Sequence, residues 1–109
     1  MQINTLCNVA YRNAVNKGWY EEPRTIGDAI ALMHSELSEA LEEHRNGNNP
    51  RATYLDEKGK PCGIPSELAD VVIRVFDFCG YHGIDLEEAI REKMEYNATR
   101  PQRHGGKKL

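Results

Sequence analysis

Apolar residues recur at steps of three and four in the first half of the chain, which is the spacing of one helix face. The first repeat stops before Gly18, and the second follows Thr25, with Asp28 three residues later as in an N-cap. The first repeat consists of Ile3, Leu6, Cys7, Ala10, Tyr11 and Ala14. The second consists of Ile30, Met33, Leu37, Ala40 and Leu41. We therefore predict helices over residues 2–17 and 25–46.

The same spacing returns after a break at residues 47–65, which are rich in Gly, Pro, Asn and charged residues. Such a composition predicts a loop. The third repeat consists of Leu68, Val71, Val72, Val75, Phe76 and Cys79. With Ser66 as its N-cap, this repeat predicts a third helix over residues 66–80.

A shorter fourth repeat follows Asp85, which has Glu88 three residues later as in an N-cap. Its apolar positions are Leu86, Ala89, Ile90 and Met94. This repeat predicts a helix over residues 85–99, followed by a basic tail over residues 100–109. Because no strand pattern or internal repeat is visible, the predicted fold class is all-α, with one domain over residues 1–109.

Composition narrows the class of protein. No apolar run reaches the roughly 18 residues of a membrane span, and the first residues lack the pattern of a signal peptide. We therefore expect a cytoplasmic protein with no membrane partner. The three cysteines, Cys7, Cys62 and Cys79, form no C-x-x-C pair, which argues against a disulfide framework or a zinc site. Cys7 and Cys79 are predicted core residues.

Charge is distributed unevenly. Residues 100–109 contain four basic and no acidic residues, whereas the first 99 contain 10 basic and 17 acidic ones, a net charge of −7. An acidic body with a basic end suits an anionic ligand chelated to a metal, such as a nucleotide. A solubilising tail would have the same composition. The acidic body argues against nucleic acid as a partner.

Two acidic pairs border the apolar faces of the second and third helices: Glu36 with Glu39, and Glu67 with Asp70. Residues three apart lie on the same side of a helix, so each pair points its oxygens in one direction. Carboxylates seldom approach a core without a cationic partner. Two such helices side by side would form an oxygen site suited to Mg²⁺ or Mn²⁺. The alternative is that all four are ordinary surface acids.

The segments that hold these acids, residues 34–42 and 64–73, resemble the MazG-like nucleoside triphosphate pyrophosphohydrolases, as do residues 97–101 and 103–106. The likeness is to the short, phage-type branch. The family is marked by E-E-x-x-E on one helix and E-x-x-D on the next. In this chain, Ser35 stands where many members carry the first glutamate. The resemblance implies a four-helix, MazG-like bundle completed by homo-oligomerisation, as a homodimer or homotetramer.

The resemblance also implies an activity, which is hydrolysis of a nucleoside triphosphate, ribo or deoxy, to the monophosphate and pyrophosphate. Mg²⁺, for which Mn²⁺ could substitute, would be held by Glu36, Glu39, Glu67 and Asp70. Two routes to the attacking water stay open. The ion would lower the pKa of a water bound to it, or Glu36 or Glu39 would instead accept a proton from a water outside the metal's shell. The family's K-x-x-x-N-x-x-R pattern corresponds here to Lys93, Asn97 and Arg100, so these residues, together with Arg103, are predicted contacts of the phosphates or sugar.

Four further residues have two interpretations each. Trp19 either stacks on the substrate base or packs a helix junction. His34, beside the first acidic pair, either supports the metal ligands or makes a local hydrogen bond. Arg74 and Asp77 continue the face of Glu67 and Asp70, and either orient the ligands or form a plain ion pair.

A function of a different class remains open at this stage: a non-catalytic regulatory or binding module that retains the fold. Magnesium-dependent release of pyrophosphate would distinguish the enzyme from the module. Four aromatic or aliphatic residues lie off the inward helix faces and are the predicted oligomer contacts: Tyr11, Ile73, Phe78 and Tyr81.

Overall fold

The computed structural model describes residues 2–100 and is predominantly helical. Four helices, α1 (Ile3–Asn16), α2 (Ile26–Arg45), α3 (Ile64–His82) and α4 (Leu86–Thr99), are accompanied by two short strands, β1 (Tyr54–Leu55) and β2 (Pro61–Cys62). The helical character predicted from the sequence is confirmed. The tail after Arg100, including Arg103, lies outside the described residues.

Two of the three predicted helix caps are confirmed. The Thr25 hydroxyl accepts a hydrogen bond from the Asp28 N–H at the start of α2, and the Asp85 carboxylate accepts one from the Glu88 N–H at the start of α4. Each side chain satisfies a backbone donor that has no partner within its helix.

The predicted start of α3 at Ser66 is wrong. The helix begins at Ile64, because Pro65 fits the first turn, where a backbone N–H is not needed. The Ser66 hydroxyl donates instead to the Pro61 carbonyl. The helix also continues through Gly80 and ends at His82. Gly83 follows as its C-cap, with a left-handed φ of +66°.

The predicted loop over residues 47–65 contains a β-hairpin that the sequence pattern did not reveal. Tyr54 pairs with Cys62 and Leu55 with Pro61 in antiparallel register. Strands of two residues are too short to show alternation, and a proline at the first position of an edge strand resembles a loop signal.

Helix α3 is the central element, since α1 and α2 both pack against it and β2 packs near its start. Within residues 2–100, the main contacts of α4 are with α1. There the Ile3 N–H donates to the Glu87 carboxylate, and the Asn4 amide donates to Asp85. The bundle completed by a second copy stays a prediction.

Only small residues form the buried apolar core of residues 2–100: Cys7, Ala14, Ala40 and Cys79. The predicted burial of the two cysteines is confirmed, and both are free thiols. Several larger predicted core residues are exposed in the single chain: Ile30, Leu37, Leu41, Leu68, Val72 and Met94. They are exposed because no element among residues 2–100 packs closely over these positions, and α4 itself contains no buried residue.

Gly80 lies where α3 crosses α1 most closely. A Cβ atom at this position would lie 2.5 Å from the Cys7 carbonyl oxygen and 2.7 Å from the Tyr11 Cβ. Both distances are shorter than van der Waals contact, so the crossing requires glycine.

Aromatic rings cover one end of this crossing. Tyr20 stacks on Tyr81 with centroids 4.7 Å apart, and Tyr11 meets both rings edge-on. Tyr11 and Tyr81, two predicted oligomer contacts, therefore pack within the chain. Phe78 packs on His82, whereas Ile73 is exposed. Within residues 2–100, every helix is too short or too polar to span a lipid bilayer.

Candidate metal centre

Three carboxylates converge where α2 packs on α3. Glu36 comes from α2, and Glu67 and Asp70 come from the first two turns of α3, with one oxygen of each within 4.8 Å of the others. The spacing of three residues places Glu67 and Asp70 on the same side of α3. Packing of α2 on that side then adds Glu36.

Glu39, the fourth predicted ligand, is exposed and is not one of these three clustered carboxylates. Its negative charge is near enough to contribute to the raised pKa of Glu67. Glu39 therefore lies beside the cluster and faces solvent.

The cluster carries more negative charge than its surroundings offset. Burial raises the pKa of Glu67, which is 8% exposed, and repulsion from Asp70 raises it further. Burial also raises the pKa of Asp70, with repulsion from Glu36 as the next cause. Lys60 opposes both shifts, and Arg74 opposes that of Asp70. An all-oxygen donor set with excess negative charge fits a hard divalent cation.

These shifts predict that the metal-free protein loses stability as pH rises above about 4, where ordinary carboxyl groups titrate. The pKa values of Glu67, Asp70 and Asp77 are raised by folding. The folded state therefore binds more protons than the unfolded state between the ordinary and the raised pKa values, and stability falls across that interval. Hydrogen bonds from Asn4 and Glu88 lower the pKa of Asp85, which has the opposite effect on stability. The three raised pKa values outweigh this single lowered one.

Thermal unfolding in EDTA between about pH 4 and pH 8 measures this dependence. The stabilisation by added Mg²⁺ or Mn²⁺ should grow with pH, because the metal binds the ionised carboxylates. A melting temperature in EDTA that rises across the interval would contradict the expectation.

Arg74 connects the acid cluster to Trp19. Its Nε donates to Glu36 Oε1 at 3.0 Å, and its guanidinium carbon lies 4.4 Å from the Trp19 ring centroid. This contact is an ion pair with a predicted ligand, so it is compatible with both interpretations of Arg74, orientation of a ligand and a plain ion pair. One side of Trp19 is engaged by this guanidinium, and Arg24 also approaches the ring, at 5.3 Å.

Asp77 contacts Tyr20 rather than the acid cluster. The carboxylate is buried and accepts a hydrogen bond of 2.7 Å from the Tyr20 hydroxyl. Burial raises the pKa of Asp77, while this hydrogen bond and the charges of Arg24 and Arg74 lower it.

Tyr20→Phe is expected to destabilise the protein by about 1–3 kcal/mol, because a buried carboxylate loses a donor. Tyr54→Phe is the matched control: its hydroxyl donates to Glu43 at the surface, so its removal should destabilise the protein less than removal of the Tyr20 hydroxyl. Urea denaturation of both variants makes the comparison. Equal losses would show that the Tyr20–Asp77 hydrogen bond contributes no more to stability than the Tyr54–Glu43 hydrogen bond.

A cleft of about 570 Å³ adjoins the acid cluster. This volume is in the range of small-molecule sites. Helix α1 supplies one wall with Leu6, Val9, Ala10, Asn13 and Ala14, and Lys17 extends that wall just after the helix ends. The rest of the lining is Trp19, Glu36, Asp70, Ile73, Arg74, Phe76 and Asp77. The cleft thus combines a largely apolar wall with two of the three clustered acids.

The other predicted site residues lie elsewhere. Lys93, Asn97 and Arg100 are exposed on or just after α4, where Lys93 and Arg100 approach the Tyr96 ring. None of the three lines the cleft. The His34 side chain is exposed. The backbone carbonyl of His34 accepts a hydrogen bond from the Ser38 hydroxyl.

Sequence reasoning missed Asn13, Lys17 and Lys60. Asn13 and Lys17 continue the apolar spacing of Leu6 and Ala10 along α1, so an extended repeat would have found them. Lys60 had no such signal, since its approach to the acids depends on the hairpin.

Comparison with known proteins gives one curated similarity. An alignment of 86 positions, which covers 76% of this chain, is 34% identical to a dATP/dGTP diphosphohydrolase of Salmonella phage PMBT28. The chain spans about a quarter (24%) of the length of that protein. No protein-family profile and no solved structure matches the chain.

Proposed function

We propose that this chain is a metal-dependent nucleotide pyrophosphohydrolase that cleaves ribo- or deoxynucleoside triphosphates to the monophosphate and pyrophosphate. The observation that carries the proposal is the convergence of Glu36, Glu67 and Asp70 beside a cleft of small-molecule size. The similarity to a phage dATP/dGTP diphosphohydrolase supports it. Purine deoxynucleoside triphosphates are therefore the first substrates to test.

In this proposal, Glu36, Glu67 and Asp70 hold Mg²⁺ or Mn²⁺, with Glu39 beside them. The bound ion would offset phosphate charge and polarise the phosphorus–oxygen bonds. Glu39 is the better placed of the two predicted proton acceptors, because Glu36 is committed to Arg74. An exposed carboxylate next to the cluster can accept a proton from the attacking water.

The cleft would hold the nucleoside. Its apolar α1 wall suits a base and sugar, Asn13 offers an amide for polar recognition, and Trp19 offers an aromatic surface at the edge. Glu36 and Asp70 would then fix the end of the cleft at which the phosphates lie.

We further propose that the chain works as a homodimer or homotetramer. Support comes from exposed apolar residues on the faces of α2 and α3, among them Leu37, Leu41, Leu68 and Val72. An assembly in which α4 of one copy approaches the cleft of another would bring Lys93, Asn97, Arg100 and Arg103 to the triphosphate.

Light scattering after gel filtration tests the assembly. We expect a mass two or four times the 12.4 kDa of the chain. A monomer at micromolar concentration would remove the proposed route by which α4 reaches the phosphates.

The activity is tested by pyrophosphate release from dATP, dGTP and a panel of canonical and damaged triphosphates, in Mg²⁺, Mn²⁺ or EDTA. Glu36→Gln should lose the metal-dependent release. Glu42→Gln is the matched control, because Glu42 lies on the same helix but is exposed and pairs with Arg45. No release from any triphosphate by the folded protein would favour a non-catalytic binding module.

A further inference from the structure

The β1–β2 hairpin is fastened to both helices that carry the clustered acids. On the α2 side, the Tyr54 hydroxyl donates to the Glu43 carboxylate at 2.8 Å. On the α3 side, the Ser66 hydroxyl donates to the Pro61 carbonyl at 3.1 Å. Gly63 joins the hairpin to α3 with a φ of +112°, and a Cβ there would collide with the Ala52 carbonyl. The hairpin therefore has a defined position beside the cluster.

Asp56 fixes the backbone of Lys60 within this hairpin. The Lys60 N–H donates to Asp56 Oδ1 at 2.9 Å, and the Lys60 carbonyl accepts from the Asp56 N–H at 3.0 Å. Lys60 directly precedes β2, which leads into the first turn of α3 and Glu67. Strand β2 packs on α3, and the Pro61 carbonyl accepts from the hydroxyl of Ser66, the neighbour of Glu67. The Lys60 side chain therefore starts from a held backbone near the first turn of α3.

The Lys60 ammonium lies on the acid side of the hairpin, because the neighbouring Pro61 carbonyl contacts Ser66, next to Glu67. Its positive charge opposes the rise in the pKa values of Glu67 and Asp70. Yet the salt bridges found among residues 2–100 involve only Arg45, Arg74 and Arg91 as cations. Arg74, the other cation near the acids, is committed to Glu36 and to Trp19. Lys60 is therefore a cation beside the cluster that forms no salt bridge with any residue of the described range, 2–100.

A divalent ion held by the acids would take over the role of offsetting their charge. It would also repel the nearby ammonium, which then needs another anion. A phosphate chain bound to the same ion supplies that anion within reach of a flexible lysine.

We propose that Lys60, held at the base of the β1–β2 hairpin, binds the phosphates of the nucleotide at the Glu36–Glu67–Asp70 centre. This inference rests on the proposed function. It assigns the hairpin, which would otherwise be a plain connection, to the recognition of substrate.

Lys60→Gln is expected to change two affinities in opposite directions. Affinity for Mn²⁺ alone should rise about two- to fivefold, because a repelling charge is removed. Affinity of the Mn²⁺-loaded protein for α,β-methylene dATP should fall about tenfold, because a charge-assisted phosphate contact is lost. Isothermal titration calorimetry measures both. A loosened hairpin would not strengthen metal binding while weakening nucleotide binding.

Lys58→Gln is the matched control. Lys58 lies on the same turn, and its N–H donates to the same Asp56 oxygen, but its charge is not among the causes of the shifts at Glu67 or Asp70. Both affinities should stay within about twofold of the unaltered protein. Lys60→Arg keeps the cation and should hold nucleotide affinity within about threefold.

The outcomes separate this inference from the proposed function. If the unaltered protein releases pyrophosphate and Lys60→Gln matches Lys58→Gln in both titrations, the role of Lys60 is overturned while the enzyme stands. If Lys60→Gln weakens both affinities together, the lysine is structural and the inference also fails. If the unaltered protein neither binds nor hydrolyses any triphosphate, both proposals fail.

Discussion

Replacing Glu67 with glutamine is expected to lower metal-dependent pyrophosphate release about a thousandfold, because loss of a metal ligand forfeits several kcal/mol of charge stabilisation. Glu67 is the most buried of the clustered acids. Water therefore cannot readily replace its oxygens at the ion. Pyrophosphate release from dATP in Mg²⁺ provides the measurement.

The same substitution should leave the metal-free protein as stable as before, or more stable. Burial and the neighbouring charge of Asp70 raise the pKa of Glu67, so the ionised side chain is a cost to the folded protein when no metal is bound. Glutamine removes that charge at nearly constant shape. Thermal unfolding in EDTA tests this half of the prediction.

The two results together distinguish a ligand from a structural residue. Lost activity with an unchanged or raised melting temperature identifies a functional carboxylate. A large loss of stability in EDTA would instead mean that Glu67 supports the fold. Glu57→Gln, in the hairpin turn and exposed, is the control, and it should alter neither quantity.

Replacing Gly80 with alanine is expected to destabilise the protein by about 1–3 kcal/mol, through overpacking at the crossing of α1 and α3. The added methyl group would meet the Cys7 carbonyl oxygen and the Tyr11 Cβ, neither of which is the end of a flexible side chain. Separation of the helices would relieve the clash, but it would also expose Cys7 and Cys79. The gain of up to about 1 kcal/mol in helix propensity offsets only part of this cost.

Gly27→Ala is the matched control for that experiment. Gly27 also lies within a helix, but a Cβ there would be 3.8 Å from the Thr25 hydroxyl oxygen, an ordinary contact. It should be neutral or stabilising by up to about 1 kcal/mol. Chemical denaturation of both variants gives the comparison. Equal effects at the two positions would mean that α1 and α3 can separate at little cost.

The helices could be predicted from sequence because each carries its own periodic signal. The caps at Thr25 and Asp85 are equally local, since a side chain binds a backbone group three residues away. The start of α3 was missed because Pro65 is compatible with both a loop and a first helical turn. The hairpin was missed because strands of two residues have no pattern of their own.

The acid cluster could be predicted only in part, for a different reason. The spacing along α2 does not distinguish Glu36 from Glu39, yet only Glu36 belongs to the three clustered carboxylates. The distinction depends on how α2 is rotated against α3, which is a property of packing between elements. For the same reason, the sequence overestimated the burial of Leu37 and Leu41, since apolar spacing indicates which face avoids water but not whether anything covers it.

The helices differ in how firmly they are packed, so we expect parts of the chain to unfold separately. Helix α3 cannot open without separating the carboxylates and releasing α1 and α2 together, so that centre is gained or lost as a unit. Helix α4 has no buried residue and rests on the first turn of α1. We expect it to detach at a small free-energy cost while the remainder stays folded. Lys93 and Asn97 would then sample positions that the docked helix does not reach.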